Sequence, residues 1–175
     1  LVFLKHHRPN LRILGVEPVE ELREVGHRNG LSLEQLVDGD ALSLSFANEA
    51  FDLVCAFALL HHVRRPETVI AEMLRTSRKA VFISDSNNFG QGSFPARTLK
   101  QLINACALWK VADFFKTKGT GYTITEGDGL AYSYSVFNNH RQIRRQCRSV
   151  HLMNTKGEGP NLYRTAGHIA LLGVK

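Results

Sequence analysis

The stretch Phe51-Asp-Leu-Val-Cys-Ala-Phe-Ala-Leu-Leu-His-His-Val63 decides the fold class of this chain. The residues after Asp52 form an unbroken apolar run, which predicts a parallel strand over 51–57 that is covered on both faces. His61 and His62 open the turn that follows. Pro66 then predicts the first position of the next helix, because the fixed φ of proline suits a helix start.

Strands and helices alternate on either side of this stretch. Apolar runs predict strands at 11–16, 35–38 and 79–84, and a helix is predicted at about 19–29. In the helix that begins at Pro66, four apolar residues at helical spacing are expected to face the sheet: Val69, Ile70, Met73 and Leu74. This alternation through residue 85 predicts a doubly wound α/β sheet.

The alternation stops after residue 85. The remaining predicted segments are, in chain order, a turn-rich stretch at 86–94, a helix at 96–110, a glycine-rich loop at 119–129, a strand at 131–137, a helix at 139–147 and strands at 149–153 and 167–174. The polar connection at 154–165 joins the last two strands. These two strands predict a terminal antiparallel hairpin.

Composition places the chain among ordinary globular proteins. It has 175 residues, 43% of them hydrophobic and 22% charged, which predicts one domain with a real core. No apolar run approaches the roughly 20 residues that cross a bilayer. The three cysteines (Cys55, Cys106 and Cys147) are far apart, so we expect reduced, mostly buried thiols in a cytoplasmic protein and neither disulfides nor a metal site.

Charge is unevenly distributed. Residues 1–85 contain ten Lys/Arg and twelve Asp/Glu, whereas residues 86–175 contain twelve and four. An excess of positive charge suits an anionic substrate, an acidic lipid surface or RNA, although a solvated basic face explains it equally well. The basic helix at 139–147 carries no interleaved aromatic residues, so nucleic acid is not the expected partner.

Two acidic segments precede the deciding stretch. Glu17 closes the run Leu11-Arg-Ile-Leu-Gly-Val-Glu17, and Asp40-Ala41 follows in the next predicted loop. An acidic residue at the end of a short apolar strand is typical of α/β sheets that bind ribose hydroxyls. With the stretch at 51–63, in this order and spacing, these segments resemble the class I S-adenosylmethionine-dependent methyltransferases of small molecules.

The resemblance implies a cofactor site for S-adenosylmethionine. Glu17 would bind the ribose hydroxyls and Pro18 would begin the wall beside the adenine. Asp40 would accept the adenine amino proton, while the backbone N–H of Ala41 would reach a ring nitrogen. The backbone at Phe57 and Ala58 would run along the methionine part of the cofactor. Two plainer interpretations stay open, namely a helix N-terminal acid at Glu17 and an Asp-Gly-Asp turn at Asp40.

The candidate catalytic residues are His61, His62 and Asp85. A histidine in a cleft can act as a general base because its ordinary pKa lies near neutrality. Asp85 follows a predicted strand, at the edge where such sheets bind ligands. Tyr122, Tyr132 and Tyr134 are candidate substrate contacts. Alternatively the histidines have no proton-transfer role, Asp85 caps a turn and the tyrosines pack within the cap.

The resemblance also implies an architecture. We expect a Rossmann-like doubly wound sheet ending in an antiparallel hairpin, within a single domain over 1–175 that carries a helical cap insertion at 86–137. No GxGxG pattern precedes Glu17, so the first central strand and the glycine-rich loop of the family are expected to be missing by N-terminal truncation. The chain is then expected to be unstable alone or to bind S-adenosylmethionine weakly.

The leading functional hypothesis is methyl transfer from S-adenosylmethionine to a small-molecule acceptor, including an anionic one. A non-catalytic binding module with the same fold is the first alternative. An NAD(P)-dependent oxidoreductase is the second, because Glu17 alone suits either cofactor. No Tyr-x-x-x-Lys pair supports a dehydrogenase. The sequence does not indicate which atom is methylated or how many copies assemble.

Overall fold

The computed structural model describes residues 1–157, 159 and 161–175. These residues divide into two compact units, Leu1–Phe46 and Ala47–Lys175. Among the described residues, no helix has the length and apolar character needed to cross a bilayer.

The first unit contains two helices and two short strands. In chain order these are α1 (Val2–His7), β1 (Gly15–Val16), α2 (Glu20–Arg28) and β2 (Leu36–Val37). The strands pair in parallel. The strand predicted at 11–16 is correct only at its end, because Gly15 and Val16 alone find partners in β2. The helix predicted at about 19–29 is confirmed as α2, with two glutamates in its first turn and Gly30 (φ 92°) just beyond its end.

The second unit contains the larger sheet and the remaining helices. Its elements are β3 (Phe51–Phe57), α3 (Pro66–Thr76), β4 (Ser77–Ser86), α4 (Phe94–Ala105), α5 (Trp109–Lys116), β5 (Thr123–Thr125), β6 (Gly129–Ala131), α6 (His140–Gln146), β7 (Ser149–Gly157), α7 (Leu162–Thr165) and β8 (Ala166–Val174). The sheet order is β3-β4-β8-β7. β3 and β4 are parallel, whereas β8 is antiparallel to both of its neighbours. The α/β class and the terminal antiparallel hairpin are thereby confirmed.

The core of this unit lies between α3 and the sheet. The four α3 residues predicted to face the sheet are all buried. They lie in a core that includes Val81 and Ile83 of β4 and Ile169 and Leu171 of β8, which are also buried. Each such side chain contributes roughly 1.5–3 kcal/mol when it leaves water. This packing fixes the carboxyl ends of β3 and β4, where the candidate catalytic residues lie.

The prediction that β3 is covered on both faces is wrong. Leu53, Cys55 and Phe57 are exposed. These alternate residues share one face of the strand, so that face is open to solvent while Ala56 on the other face is buried. β3 is also an edge strand, and its only strand partner among the described residues is β4.

The region after β4 differs most from the predictions. The helix predicted at 96–110 is divided into α4 and α5, because Ala107 adopts a left-handed φ of 58° between them. The predicted loop at 119–129 contains the β5–β6 hairpin, while the strand predicted at 131–137 is limited to Ala131. In the connection at 154–165, β7 extends to Gly157 and α7 follows, and residues 158 and 160 lie outside the described residues.

The cysteine prediction is half right. The structure shows free thiols at all three positions, but only Cys147 is buried, and Cys55 and Cys106 are exposed. Cys55 shares the exposed face of β3 with Leu53 and Phe57, and Cys106 lies at the break between α4 and α5.

Candidate active site

The candidate catalytic residues lie where β3 ends and turns toward α3. Ala58, directly after β3, has a left-handed φ of 47°, and its N–H donates to the carbonyl of Ser84 on β4 over 2.8 Å. A non-glycine residue in this region is strained and is found preferentially at functional sites. The chain then forms a single 3₁₀ turn over Leu60–His62, which places the two histidines beside the end of β4.

His61 and Asp85 form a buried pair in this turn. Nδ1 of His61 lies 2.7 Å from Oδ1 of Asp85, and both side chains are almost fully shielded from water. The carboxylate of Asp85 also accepts the N–H of Leu60 over 2.8 Å and the N–H of Ser86 over 2.6 Å. Because the carboxylate accepts, His61 donates from Nδ1, and its Nε2 is left facing away from Asp85.

The β5–β6 hairpin lies against the same turn. Nδ1 of His62 donates to the carbonyl of Leu130 over 2.7 Å, and the N–H of Tyr132 donates to the carbonyl of His61 over 2.7 Å. These two bonds place the hairpin turn, with Asp128, opposite the histidines. Nε2 of His61 lies 3.5 Å from one oxygen of Asp128, and Nε2 of His62 lies 3.7 Å from the other. The structure therefore adds an acidic residue to the group expected from the sequence.

A buried polar network supports the site from behind. The side-chain amide of Asn87 donates to the carbonyls of Leu162, Tyr163 and Ala166, and its oxygen accepts the hydroxyl of Ser135 over 2.9 Å. Asn87 and Ser135 are completely buried. Each satisfied bond of this kind is worth roughly 1 kcal/mol net, and each orphaned partner costs more. The network therefore fixes the segment after Asp85 in one position.

The three tyrosines differ in their surroundings. Tyr122 and Tyr132 are half-buried and contact each other edge-on, with ring centroids 6.3 Å apart. Tyr134 is buried, and its hydroxyl donates to the side-chain oxygen of Asn139 over 3.0 Å. Burial, assisted by the charge of Asp85, raises the pKa of Tyr134 far above its ordinary value. Substrate contact by these residues stays a prediction, and Tyr122 and Tyr132 are the two that solvent reaches.

The first unit carries the residues expected to hold the adenosine part of the cofactor. Glu17 follows β1, and its N–H continues the parallel pairing by donating to the carbonyl of Val37 over 3.0 Å. Its Oε1 accepts the N–H of Val19 over 3.1 Å. Asp40 lies beyond the end of β2 and accepts the N–H of Leu42 through Oδ1 over 2.8 Å. Both carboxylates thus follow parallel strands at the same sheet edge, where α/β folds bind ligands.

The surroundings of Glu17 and Asp40 suit S-adenosylmethionine. Each carboxylate uses one oxygen in a local bond, and a ribose diol and an adenine amino group supply the donors that carboxylates accept. Pro18 is exposed and Ala41 is half-buried, so both can lie against a bound ring. In the second unit, the exposed Phe57, whose ring packs against Phe82, and the left-handed Ala58 end the edge strand β3. The local bonds at Glu17 and Asp40 also agree with their plainer interpretations, so the cofactor roles stay predictions.

Asp128 and Asn87 are the site residues that sequence analysis missed. Asp128 lies 66 residues after His62 in a Gly-Asp-Gly turn, which looks like any loop. Asn87 lies in the turn-rich stretch Ser86-Asn-Asn-Phe. Only tertiary contacts distinguish these residues from their neighbours, and the sequence offered no pattern for either.

A family model and several solved structures relate this chain to methyltransferases. A family model described as a methyltransferase domain matches residues 2–83. A solved S-adenosylmethionine-dependent methyltransferase from Thermotoga maritima, called a possible histamine N-methyltransferase, is similar with a TM-score of 0.60 at 15% identity, over 95% of this chain and 74% of that one. A second from Methanosarcina mazei gives 0.57 at 17% identity, over 93% and 81%. At such identities the solved structures show a shared fold.

A curated relative adds a closer match in sequence. The chain is 31% identical over 100 residues to a phosphatidylethanolamine N-methyltransferase of Cereibacter sphaeroides. The matched segment is 57% of this chain and 42% of the relative. The chain therefore spans less than half the length of that protein.

Proposed function

We propose that this chain, part of which matches a methyltransferase family model, is a class I S-adenosylmethionine-dependent methyltransferase that transfers a methyl group from that cofactor to the amine of a phospholipid head group. When bound, S-adenosylmethionine supplies a methyl group already activated on its sulfonium. The protein has to align an acceptor with that methyl group. The acceptor class is carried by one observation, the exposed apolar surface of α4 and α5.

This surface, the α4–α5 surface, is unusually apolar for a part of the chain open to water. Phe94 is 70% exposed, Leu102 is 59% exposed and Phe115 is 74% exposed. Further exposed members are Leu99, Leu108, Val111 and Phe114. Clustered large apolar side chains of this kind mark contact sites for proteins, membranes or ligands. Helices with such a face lie in the interface plane of a bilayer when cations accompany them.

Cations do accompany the α4–α5 surface. Lys110, Lys116 and Lys118 are exposed around α5, and the half of the chain from residue 86 onward has eight more basic than acidic residues (twelve against four). Such charge attracts anionic lipids, at about 1 kcal/mol for each residue near the surface. The name of the curated relative points in the same direction. A lipid surface therefore fits both the apolar and the charged character of this region.

The roles of the chain's own residues follow from this proposal. Residues 86–137 form a cap within one methyltransferase domain and carry the lipid-facing helices. His61 and His62, with Asp128, hold the acceptor head group, and the buried Asp85 positions His61. Glu17 and Asp40 hold the adenosine part of the cofactor. The protein would act from the cytoplasmic side.

The test is methyl transfer from isotopically labelled S-adenosylmethionine to vesicles of phosphatidylethanolamine with phosphatidylglycerol. We expect labelled lipid, and we expect Leu102→Asp and Phe115→Asp to lower the rate on vesicles and the amount of vesicle-bound protein. Leu33→Asp is the matched control. Leu33 is 77% exposed and belongs to the first unit, not to α4 or α5. Cofactor binding, followed by calorimetry, should be the same in all three variants.

A soluble small-molecule acceptor is the second candidate. It is favoured by the half-buried, mutually packed Tyr122 and Tyr132 beside the histidine turn, which offer stacking surfaces to a compact ligand. O-Phosphoethanolamine in place of vesicles separates the two. Equal labelling of the soluble amine, with no effect of Leu102→Asp, would contradict the lipid proposal. Cofactor binding with no transfer to any amine would favour the non-catalytic alternative.

A further inference from the structure

Three hydrogen-bond acceptors converge beside the histidine turn. They are Nε2 of His61, Nε2 of His62 and the carboxylate of Asp128, and the three ligand atoms lie within 4.8 Å of one another. The imidazole rings are stacked obliquely with centroids 3.9 Å apart. His62 and Asp128 are open to solvent, at 32% and 60% side-chain exposure, so an ion can reach them.

The hydrogen bonds of the two imidazole rings determine which nitrogen lone pairs face the carboxylate of Asp128. Nδ1 of His61 donates to Asp85 and Nδ1 of His62 donates to the carbonyl of Leu130. A carbonyl and a carboxylate only accept, so each neutral ring carries its proton on Nδ1. Each Nε2 then directs a lone pair toward a carboxylate. Three electron-rich atoms facing one another repel unless a cation lies between them.

The spacing suits a transition-metal ion. Nε2 of His61 lies 3.5 Å and Nε2 of His62 lies 3.7 Å from oxygens of Asp128. Zinc binds imidazole and carboxylate at about 2.0–2.2 Å in a tetrahedron, which separates its ligand atoms by roughly 3.3–3.5 Å. To reach this range, these two separations need contractions of only a few tenths of an ångström, while the two Nε2 atoms lie within 4.8 Å of each other. The side chain of Asp128, in an exposed hairpin turn, can supply them.

The hydrogen-bond partners of the two histidine rings are also those expected at a metal site. Metal-binding histidines almost always donate their other ring N–H to a carboxylate or a backbone carbonyl, which fixes the ring and its tautomer. His61 has the carboxylate and His62 has the carbonyl. The bond from the N–H of Tyr132 to the carbonyl of His61 joins the hairpin to the turn, so the third ligand is positioned by backbone contacts.

We propose that His61, His62 and Asp128 bind a divalent transition-metal cation and leave a coordination position open for an oxyanion of the acceptor. Three protein ligands leave one position of a four-coordinate ion free. The oxyanion part of this inference rests on the proposed function, since a phospholipid acceptor brings a phosphate. The metal-binding part does not, because it depends only on these three side chains.

The competing explanation is a proton in place of the metal. One proton on Nε2 of His61 would satisfy that ring and Asp128, but it would leave the lone pair of His62 facing the same carboxylate. A divalent ion satisfies all three groups together. Proton and metal are separated by measuring metal binding directly, without cofactor or acceptor.

The experiment titrates Zn²⁺ into the metal-free chain by calorimetry and records the visible spectrum with Co²⁺. We expect one equivalent of metal and the absorption of a four-coordinate Co²⁺ site. His62→Ala and Asp128→Asn should each weaken binding at least as much as the loss of an outer-shell partner does, about 10–100-fold. His151→Ala and Glu126→Gln are matched controls at exposed positions outside the site and should bind metal as the parent chain does.

Two results would overturn the inference. One is a folded chain, by circular dichroism, that takes up no Zn²⁺ or Co²⁺. The other is binding that His62→Ala and Asp128→Asn leave unchanged. Inorganic phosphate tests the open position: it should shift the Co²⁺ spectrum, and an unchanged spectrum with metal bound would refute an oxyanion ligand. None of these measurements involves methyl transfer, so failure of the metal site and failure of the proposed function are distinguishable.

Discussion

Oδ1 of Asp85 accepts both the Nδ1–H of His61 and the backbone N–H of Ser86, so one buried oxygen fixes the imidazole to the end of β4. Oδ2 of the same carboxylate holds the N–H of Leu60. Asp85 is completely shielded from solvent, and it is a positioning residue. It determines which nitrogen of His61 carries the proton and where the other nitrogen points.

Asp85→Asn should therefore act through His61. The amide can donate to Nδ1, which moves the ring proton to Nε2 and removes the lone pair that faces Asp128. We expect the Zn²⁺ affinity and the rate of methyl transfer to fall about 10–100-fold, as for other partners that orient a functional histidine. Unchanged cofactor affinity in the variant would show that the effect is confined to the histidine turn. A variant that keeps the parent's Zn²⁺ affinity would contradict the positioning role.

Glu17→Ala should weaken binding of S-adenosylmethionine. A hydrogen bond to a charged group is worth about 1.5–3 kcal/mol, so loss of the carboxylate predicts roughly a 10–100-fold rise in the dissociation constant. Calorimetry measures this dissociation constant. Glu21→Ala, in the exposed first turn of α2, is the matched control. If the two variants bind alike, Glu17 serves only the local bond to Val19 and the helix end.

Gly90→Ala should destabilise the second unit. A Cβ at Gly90 would lie 2.0 Å from the carbonyl oxygen of Ala166, an atom of the backbone that cannot move aside like a side chain. Overpacking of this kind costs about 1–3 kcal/mol or more. Chemical denaturation would show the loss in the free energy of unfolding. Gly127→Ala, which meets no atom within 4 Å, should stay within about 0.5 kcal/mol of the parent.

Tyr134 should make the stability depend on alkaline pH. Burial and the charge of Asp85 raise the pKa of Tyr134 in the folded state, whereas in the unfolded state it ionises near pH 10. Below that pH both states are protonated and the stability is fully present. Above it the unfolded state alone loses the proton, so the free energy of unfolding falls as the pH rises.

The check compares Tyr134→Phe with the parent chain between pH 8 and pH 11, a window set by the ordinary tyrosine pKa of about 10. The variant loses the bond to Asn139, at a cost of about 0.5–1.5 kcal/mol near neutral pH. It should also show a shallower fall in stability above pH 10. Parallel curves for the two chains would contradict the raised pKa, as would tyrosinate absorbance from Tyr134 in the folded protein.

Elements whose pattern is local could be predicted from the sequence. Alternating apolar runs and helical stripes predicted α2, α3, β4, α6 and the strands of the terminal hairpin, because burial of one face imposes a fixed period on each. The same reasoning failed where the burial of an element depends on the elements that lie beside it. β3 has the apolar sequence of a covered strand but lies at a sheet edge, and no property of residues 51–57 records which strands lie beside them.

The candidate site was likewise predictable only in part. His61, His62 and Asp85 could be singled out because they follow predicted strands at the edge where α/β sheets bind ligands. Their mutual arrangement could not, since the tautomer of each ring depends on a partner elsewhere in the chain. Asp128 and Asn87 belong to the site only through contacts across 66 or more residues and through a buried network. Sequence determined the chemical groups available, and tertiary structure decided which of them converge, because convergence depends on long-range packing rather than on local pattern.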